Sequence, residues 1–280
     1  MSSHTDTDKA IETLISTFNE LNSNTIDELH EEPSPLEFMR YVARNTPFVG
    51  QSVNVAVTPH GNADMPTVPP GEDSLVFAKP HYEDQPFEEL LEFVARQETD
   101  PDFPSDAEVR YAQTQNDNLR EEYISLFSDV QKDIPFARIA LGKSPDAVNL
   151  WIGNSKSVTA MHKDNYENIY VQVLGRKHFV LLPSLCHPCI NEQPLRPATY
   201  RRGDNGMDLE MDNDNGSVPF AIWDPDRPEV NATKFSYLAR PLRVTLNPGD
   251  MLYLPAMWYH KVMQSCTEED EGFVLAVNYW

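Results

Sequence analysis

The fold is decided by the segment of residues 159–170, which reads TAMHKDNYENIY. A β-type run over residues 157–162 and another over residues 169–174 flank a polar turn. Because side chains alternate along an extended strand, His162 and Asp164 are expected on one face at the end of the first run. The segment therefore predicts two neighbouring strands, the first of which ends in an imidazole and a carboxylate side by side.

Short β-type runs continue on both sides of this segment, from residue 148 to the end of the chain. They cover residues 148–153, 157–162, 169–174, 178–182, 218–222, 242–246, 251–254 and 272–280. Turn signals separate them, among them residues 175–176, 183–184 and 247–250. Repeated short strands with turns between them favour a sandwich or barrel over alternating strands and helices. A jelly roll of this kind can bring strands that are distant in the chain together.

The first half of the chain carries helical as well as β-type patterns. Apolar spacing predicts helices at residues 8–22, 36–42, 87–94 and 119–127, and a strand at residues 53–57. Residues 59–72 are predicted to form a loop, and the acidic stretch 203–216 a solvated loop. We therefore predict an α+β chain with an N-terminal helical extension over residues 1–35 and one larger domain over residues 36–280.

The net charge of the chain restricts the classes of binding partner that we expect. There are 22 Lys and Arg residues against 44 Asp and Glu, which gives a net charge of −22. Such a field repels nucleic acid backbones and anionic lipid, so we expect neither nucleic acid nor a membrane as a partner. A basic protein segment would instead be attracted. Solubility alone is an equally good explanation of the charge.

Cysteine content and hydropathy indicate an intracellular protein. Three cysteines do not make a disulfide framework, and the pair Cys186 and Cys189 lacks the further ligands of a structural zinc site. No apolar run reaches the roughly 20 residues that cross a bilayer. We expect the cytosol, with the nucleus as a second compartment. The sequence stops at Trp280 inside an apolar strand pattern, from which we expect further residues in the natural domain.

Three side chains predict a metal centre. His162 and Asp164 end one strand, and His260 follows the turn and strand of residues 248–255. Two imidazoles and one carboxylate on one face of an ion leave its other positions open, which suits non-haem Fe(II). A His-x-Asp pair alone is a weak signal, because a single histidine is more often a surface or core residue. The position of His260 at the end of a second strand strengthens the interpretation.

The same segments resemble a known family of oxygenases. Residues 159–170, 175–179, 248–260 and 276–280 are similar to the JmjC (jumonji-type cupin) enzymes, and residues 53–64 and 141–151 resemble the small lysyl hydroxylases among them. The resemblance covers most of the chain in the same order. It implies a core that is a double-stranded β-helix, the cupin type of jelly roll, with flanking N-terminal helices. Residues 36–280 would then be a JmjC/cupin-like catalytic domain.

The resemblance also implies the cofactors, which are Fe(II) on the three predicted ligands and 2-oxoglutarate as co-substrate. Lys177 matches a lysine that pairs with the distal carboxylate of 2-oxoglutarate, and Thr159 and Tyr111 match hydroxyl groups that assist it. Asn168 and Asn278 match positions that line the co-substrate pocket. A fixed cation with two hydroxyl donors suits such an anion, because charge-assisted hydrogen bonds are strong. The alternative for Lys177 is a solvated lysine in a turn.

The activity implied by the resemblance is hydroxylation of a protein side chain, in the first place a lysine, in a substrate such as a developmentally regulated GTP-binding protein. A basic segment around that lysine agrees in sign with the acidic chain. Three alternatives stay open: histone lysine or arginine demethylation, histone-tail endopeptidase activity, and a non-enzymatic cupin binding module. The oligomeric state stays open between a monomer and a homodimer.

Overall fold

The computed structural model describes residues 52–280, except residues 116, 204–205, 214–215 and 268–269, together with two short strands nearer the N-terminus. The N-terminal part contains strands β1 (Asp27–Leu29), β2 (Phe48–Gly50), β3 (Ser52–Thr58), β4 (Met65–Thr67), β5 (Val76–Lys79), β6 (His81–Pro86) and β7 (Val109–Tyr111). Its helices are α1 (Phe87–Thr99), α2 (Asn118–Glu121) and α3 (Pro135–Leu141). The helices predicted at residues 8–22 and 36–42 lie outside the described residues.

The C-terminal part consists mainly of strands. They are β8 (Val148–Gly153), β9 (Thr159–Lys163), β10 (Asn168–Leu174), β11 (Arg176–Leu182), β12 (Glu192–Gly203), β13 (Gly206–Met211), β14 (Val218–Ala221), β15 (Leu242–Leu246), β16 (Met251–Leu254), β17 (Tyr259–Ser265) and β18 (Val274–Tyr279). One short helix, α4 (His187–Ile190), follows β11. Across the described residues, no helix has the length and apolar character required to cross a membrane.

Two four-stranded antiparallel sheets form the core. One sheet has the strand order β16-β10-β18-β8, and the other has the order β15-β11-β17-β9. Strands from the first half of this region alternate with strands from its second half, so β8 pairs with β18 and β9 pairs with β17. This arrangement is a double-stranded β-helix. The predicted fold class is confirmed, and the strands predicted at residues 148–153, 242–246 and 251–254 have the bounds expected.

Strand β8 is buried at every position because its sheet is covered on both faces. Leu150 and Ile152 pack towards β3 and α1, whereas Trp151 between them points into the space enclosed by the two core sheets. There it joins a cluster that includes Tyr170 and Phe179. Full burial of a large apolar side chain contributes about 1.5–3 kcal/mol, so this layered packing accounts for much of the stability of the core.

Helix α1 packs against the three-stranded sheet β6-β3-β7. Phe87, Leu90 and Val94 recur at helical spacing and are buried, while Glu88 and Glu89 in the first turn complement the helix dipole. The helix predicted around residues 87–94 is therefore confirmed.

The single helix predicted at residues 119–127 is wrong in extent. Helix α2 ends at Glu121, and a separate 3-10 turn follows at Ile124–Leu126. Leu119 and Tyr123 are nevertheless fully buried in the core, as their spacing indicated. The apolar pattern thus identified the buried positions but not the break in the helix between them.

A third sheet, called the inserted sheet below, combines three strands from the segment between β11 and β15 with two strands from the N-terminal part. Strand β12 pairs with β13, β14 and β5, and β4 joins β5. The solvated loop predicted at residues 203–216 is therefore wrong over Gly206–Met211, which is strand β13. Met207 and Leu209 are half-buried and alternate with exposed Asp208 and Glu210, so the acidic side chains face water without interrupting the strand. The loop predicted at residues 59–72 likewise contains β4.

The turn between β10 and β11 requires a glycine for two reasons. Gly175 has φ +64°, and a Cβ added there would lie 2.8 Å from Val274 Cγ2. Gly142, after α3, has the similar φ of +69° but open space around it. A comparison of alanine substitutions at the two positions therefore separates the cost of backbone strain from that of steric conflict.

We expect Gly142→Ala to lower the free energy of unfolding by about 1 kcal/mol, from its left-handed backbone alone. Gly175→Ala should lower it by about 2–4 kcal/mol, because overpacking against Val274 adds to the same backbone cost. Urea unfolding monitored by circular dichroism would measure both variants. Equal losses in the two would contradict a steric role for the contact with Val274.

Candidate functional site

Three polar side chains converge where β9 and β17 lie next to each other. In the antiparallel register, His260 of β17 stands directly opposite His162 of β9, and their ring centroids are 4.0 Å apart. Asp164, just after β9, places Oδ2 3.8 Å from Nε2 of His162 and 3.6 Å from Nε2 of His260. One ligand atom from each of the three lies within 4.8 Å of the others. The predicted juxtaposition of two imidazoles and a carboxylate is present.

Backbone carbonyl groups orient both imidazole rings. Nδ1 of His162 lies 2.8 Å from the carbonyl oxygen of Ala160, and Nδ1 of His260 lies 3.1 Å from that of Trp258. With the proton on Nδ1 donated to these carbonyls, the lone pair of each Nε2 faces the other ring and Asp164. Burial, together with neighbouring His162, holds the pKa of His260 well below its usual value. His260 is therefore neutral, the form that binds a metal ion.

The segment before β17 fixes the aspartate. Met257 adopts a left-handed backbone conformation with φ 65° and donates its N–H to the carbonyl oxygen of Asp164 at 2.7 Å. The sequence placed His260 at the end of the strand of residues 248–255, but it lies inside the separate strand β17 and is only 3% exposed. This backbone bond ties the end of β9 to the start of β17, so the three ligands share one rigid support.

The donor set fits iron. Two imidazole nitrogens and one carboxylate oxygen on a single side leave the opposite side open to a cavity, which is the arrangement of non-haem Fe(II) centres. Among the described residues no thiol takes part in this cluster, which disfavours the thiolate-rich sites of structural zinc.

A cavity of about 480 Å³ opens in front of the three side chains. Aromatic rings form much of its wall, and polar groups stand at a few positions between them. The lining residues that matter below are Asp64, Phe77, Tyr82, Gln113, Trp151, Thr159, Asn168, Tyr170, Phe220, Asn278 and Trp280. A cavity of this size, in which polar groups converge between aromatic rings, suits a small polar ligand.

Lys177 is a buried cation beside this cavity. Its side chain is 1% exposed, and Nζ lies 3.1 Å from the hydroxyl of Tyr111 and 5.5 Å from the ring centroid of Tyr170. Within the described part of the chain no carboxylate pairs with it, and burial lowers its pKa to about 7. The solvated-turn alternative for Lys177 is therefore wrong. A buried ammonium without a counter-ion favours binding of an anion, because the anion supplies the missing charge.

The remaining predicted positions are adjacent to one another. Thr159 at the start of β9 and the amides of Asn168 and Asn278 line the cavity. Asn278 donates to Oδ1 of Asn168 at 3.0 Å and accepts from the indole N–H of Trp151 at 2.8 Å. All eight residues singled out from the sequence thus lie around one cavity or against its wall, and their individual roles stay predictions.

Several cavity residues were not identified from the sequence. Tyr170 could have been found, because it lies two positions after Asn168 on the same face of β10. Trp151 lies in a segment that carried the family resemblance but received no role. Asp64, Phe220 and Trp280 enter the cavity from loops and from the inserted sheet, so no periodic pattern marks them.

A double-stranded β-helix that gathers two histidines and an aspartate around one cavity is the construction of a cupin-type metalloprotein. A family model described as a cupin-like domain matches residues 29–280, and the chain belongs to this family.

Curated relatives narrow the family to its JmjC members. The chain is 36% identical over 308 residues to Lysine-specific demethylase JMJ32 of Arabidopsis thaliana, with coverage of 97% of this chain and 86% of that protein. It is 38% identical over 229 residues to the Bifunctional peptidase and (3S)-lysyl hydroxylase JMJD7 of Homo sapiens, with coverage of 81% and 67%. JmjC domain-containing protein E of Dictyostelium discoideum is 29% identical, with coverage of 89% and 82%. The resemblance to JmjC oxygenases and to the lysyl hydroxylases among them is confirmed.

The metal assignment can be tested by binding alone. We expect His162→Ala and Asp164→Ala each to weaken Fe(II) binding by more than the ~10–100-fold that loss of an outer-shell partner costs, because each removes a ligand outright. Anaerobic calorimetric titration with Fe(II) would measure the affinity. The control is His60→Ala, which removes an exposed histidine outside the cavity. An unchanged affinity in either ligand variant would refute the site.

Proposed function

We propose that this protein is an Fe(II)- and 2-oxoglutarate-dependent dioxygenase that hydroxylates a protein side chain, in the first place lysine. The observation that carries the proposal is the buried, unpaired ammonium of Lys177 beside the same cavity as the His162, Asp164 and His260 cluster. A metal site alone would serve many reactions. A metal site with a buried cation next to it suits a co-substrate that offers a carboxylate to each, and JmjC oxygenases use Fe(II) and 2-oxoglutarate.

Each group has a definite task in this proposal. The three ligands would hold iron, which with 2-oxoglutarate and dioxygen would supply the oxidising power to convert a C–H bond into an alcohol. Lys177 and the hydroxyl of Tyr111 hold the far carboxylate, and Thr159 lies at the cavity wall where its hydroxyl can assist.

The aromatic side chains of the cavity wall shield Lys177 from water. Trp151 and Tyr170 line the cavity next to Lys177, so they keep water from the ammonium and strengthen its attraction for an anion. The linked amides of Asn168 and Asn278 fix the position of the Trp151 indole. The chain would therefore orient the reactants and exclude solvent.

Demethylation is the second candidate, and it is favoured by one finding: the relative from Arabidopsis thaliana carries the name of a lysine-specific demethylase. Both reactions oxidise a carbon on or near a lysine side chain, so the metal centre does not discriminate between them. Endopeptidase activity is a third candidate because the human relative is named as a bifunctional peptidase and hydroxylase. The hydroxylase is preferred because that name and the sequence resemblance agree on it.

The proposed macromolecular partner is a protein with a basic segment. The net charge of −22 attracts such a segment at long range and supports this choice. A GTP-binding protein of the developmentally regulated type is the first candidate, as the family resemblance implies, and the cytosol, with the nucleus second, is the proposed location.

Mass spectrometry of the products would decide among the reactions. The protein would be incubated with Fe(II), 2-oxoglutarate and air, together with a candidate GTP-binding protein or with methylated and unmethylated histone-tail peptides. We expect a gain of one oxygen atom on an unmethylated lysine, with one succinate formed per product. Loss of a methyl group would instead establish the demethylase, and truncated peptides the peptidase. Omission of 2-oxoglutarate is the control, and product formed without it would overturn the proposal.

The buried lysine predicts how co-substrate binding depends on pH. Free Lys177 has a pKa of about 7 because of burial, and a bound carboxylate would raise it. Above pH 7 the free protein must therefore take up a proton to bind 2-oxoglutarate, and the affinity should fall by up to about tenfold per pH unit. Below pH 7 the lysine is already charged, so the affinity should level off.

Calorimetry of 2-oxoglutarate binding to the Mn(II)-loaded protein would measure this dependence. In buffers of different ionisation enthalpy, the same titrations report the proton uptake directly. Lys177→Gln should bind more weakly and lose the slope, whereas Lys143→Gln, a substitution of an exposed lysine, should keep it. A slope that survives in Lys177→Gln would exclude Lys177 as the titrating group.

A further inference from the structure

A fourth carboxylate lines the active-site cavity without belonging to the metal cluster. Asp64 is partly buried, and Nε2 of Gln113 donates a hydrogen bond to its Oδ2 at 3.1 Å. No lysine or arginine of the described residues forms an ion pair with it. The groups that act on its charge from nearby are His162 of the metal cluster and, more weakly, Lys79, which is itself paired with Asp212. Asp64 is therefore an acceptor with unused capacity at the cavity wall.

The backbone holds this carboxylate in place. Asp64 has φ 52°, in the left-handed region, at the end of a turn that begins at Gly61. Gly61 packs so closely on Lys156 that a Cβ would lie 1.9 Å from the carbonyl oxygen of that residue, and its own carbonyl accepts from Val158. Asn62 donates to the hydroxyl of Tyr200 at 3.0 Å. The turn is thus anchored to the chain just before β9 and to the inserted sheet, so Asp64 is preorganised.

Aromatic rings line the same cavity as Asp64. Phe77 and Phe220 are in contact, with centroids 5.1 Å apart, and Tyr82 also lines the cavity. A long aliphatic stem with a cationic end matches such a wall, because the methylene groups pack on the rings while the charge meets a carboxylate. Lysine has this shape.

The electrostatics point in the same direction. Burial raises the pKa of Asp64 above its usual value, and the neutral amide of Gln113 only partly offsets that cost. A cation brought into the cavity would offset it further, since a charge-assisted hydrogen bond is roughly twice as strong as a neutral one. A neutral side chain at the same place would leave the carboxylate poorly solvated.

We propose that Asp64 is the specificity residue that binds the side-chain ammonium of the substrate lysine in the active-site cavity. The inference rests on the proposed function and deepens it. It also bears on the choice between the two candidate reactions, because an unmethylated ammonium donates three hydrogen bonds whereas a trimethylated one donates none. The site therefore favours unmodified lysine over trimethyllysine and over an uncharged side chain of equal length.

The test uses four peptide pools with randomised neutral flanks and a fixed central residue. The central residue is lysine, trimethyllysine, norleucine or glutamate. Binding of each pool to the Mn(II)-loaded protein with 2-oxoglutarate would be measured by fluorescence anisotropy, which requires no turnover. We expect the wild-type protein to bind the lysine pool at least tenfold more tightly than the norleucine pool, and more tightly than the trimethyllysine pool.

Asp64→Asn is the decisive variant. Asparagine has nearly the same shape, tolerates the left-handed backbone and can accept the hydrogen bond of Gln113, so the fold is expected to survive. It should lose the preference for lysine over norleucine. Asp106→Asn is the matched control, because it removes one exposed carboxylate outside the cavity and changes the net charge equally. Asp64→Lys, as a second variant, should shift the preference to the glutamate pool.

The outcomes separate this inference from the proposed function. If wild-type protein with Fe(II) hydroxylates the lysine pool while Asp64→Asn binds it as tightly as wild type, the role of Asp64 is refuted and the hydroxylase stands. If the lysine preference is present and disappears in Asp64→Asn but no pool is oxidised, the recognition site stands and the proposed function fails. Equal binding of lysine and norleucine by the wild-type protein would also overturn the role of Asp64.

Discussion

The pairing of β17 with β9 is the constraint on which the site depends. The two strands are far apart in the chain, yet their register sets His260 directly opposite His162. A shift of one residue would turn His260 to the other face of its sheet, away from the cavity. The hydrogen bond from Met257 to the carbonyl oxygen of Asp164 closes the start of this strand pair and opposes such a shift. The metal centre is thus a consequence of strand register.

A second constraint is the cost of burying charge. Lys177 and Asp64 both stand at or beside the cavity with too few partners, one positive and the other negative. A folded chain tolerates such groups where a ligand of opposite charge completes them. The positive group lies among the aromatic residues of the jelly-roll interior, whereas the negative group is carried by a loop at the N-terminal side. The cavity therefore has two regions of opposite charge, one beside Lys177 that suits an anion and one beside Asp64 that suits a cation.

The sequence predicted the jelly roll well, because most of its strands are short apolar runs bounded by turn residues. It failed where local preference and tertiary pairing disagree. Strand β12 contains Pro194 and Pro197, which argue against a strand, yet it is paired along its length with β14, β5 and β13. The candidate metal ligands could be named from the sequence, but the burial of Lys177 could not, since its neighbours in the chain are those of an ordinary turn. Asp64 reaches the cavity only through tertiary contacts.

The strands that carry the candidate metal ligands are not the strands of the inserted sheet, which contributes only to the cavity wall. All three candidate metal ligands come from β9, its end and β17, while Phe220 reaches the cavity from β14 and Phe77 from β5. Substitutions in this sheet can therefore alter the shape of the cavity without disturbing the strands that carry the candidate metal ligands. A domain built in this way is able to change the ligands that its cavity accepts during evolution while the candidate metal centre stays intact.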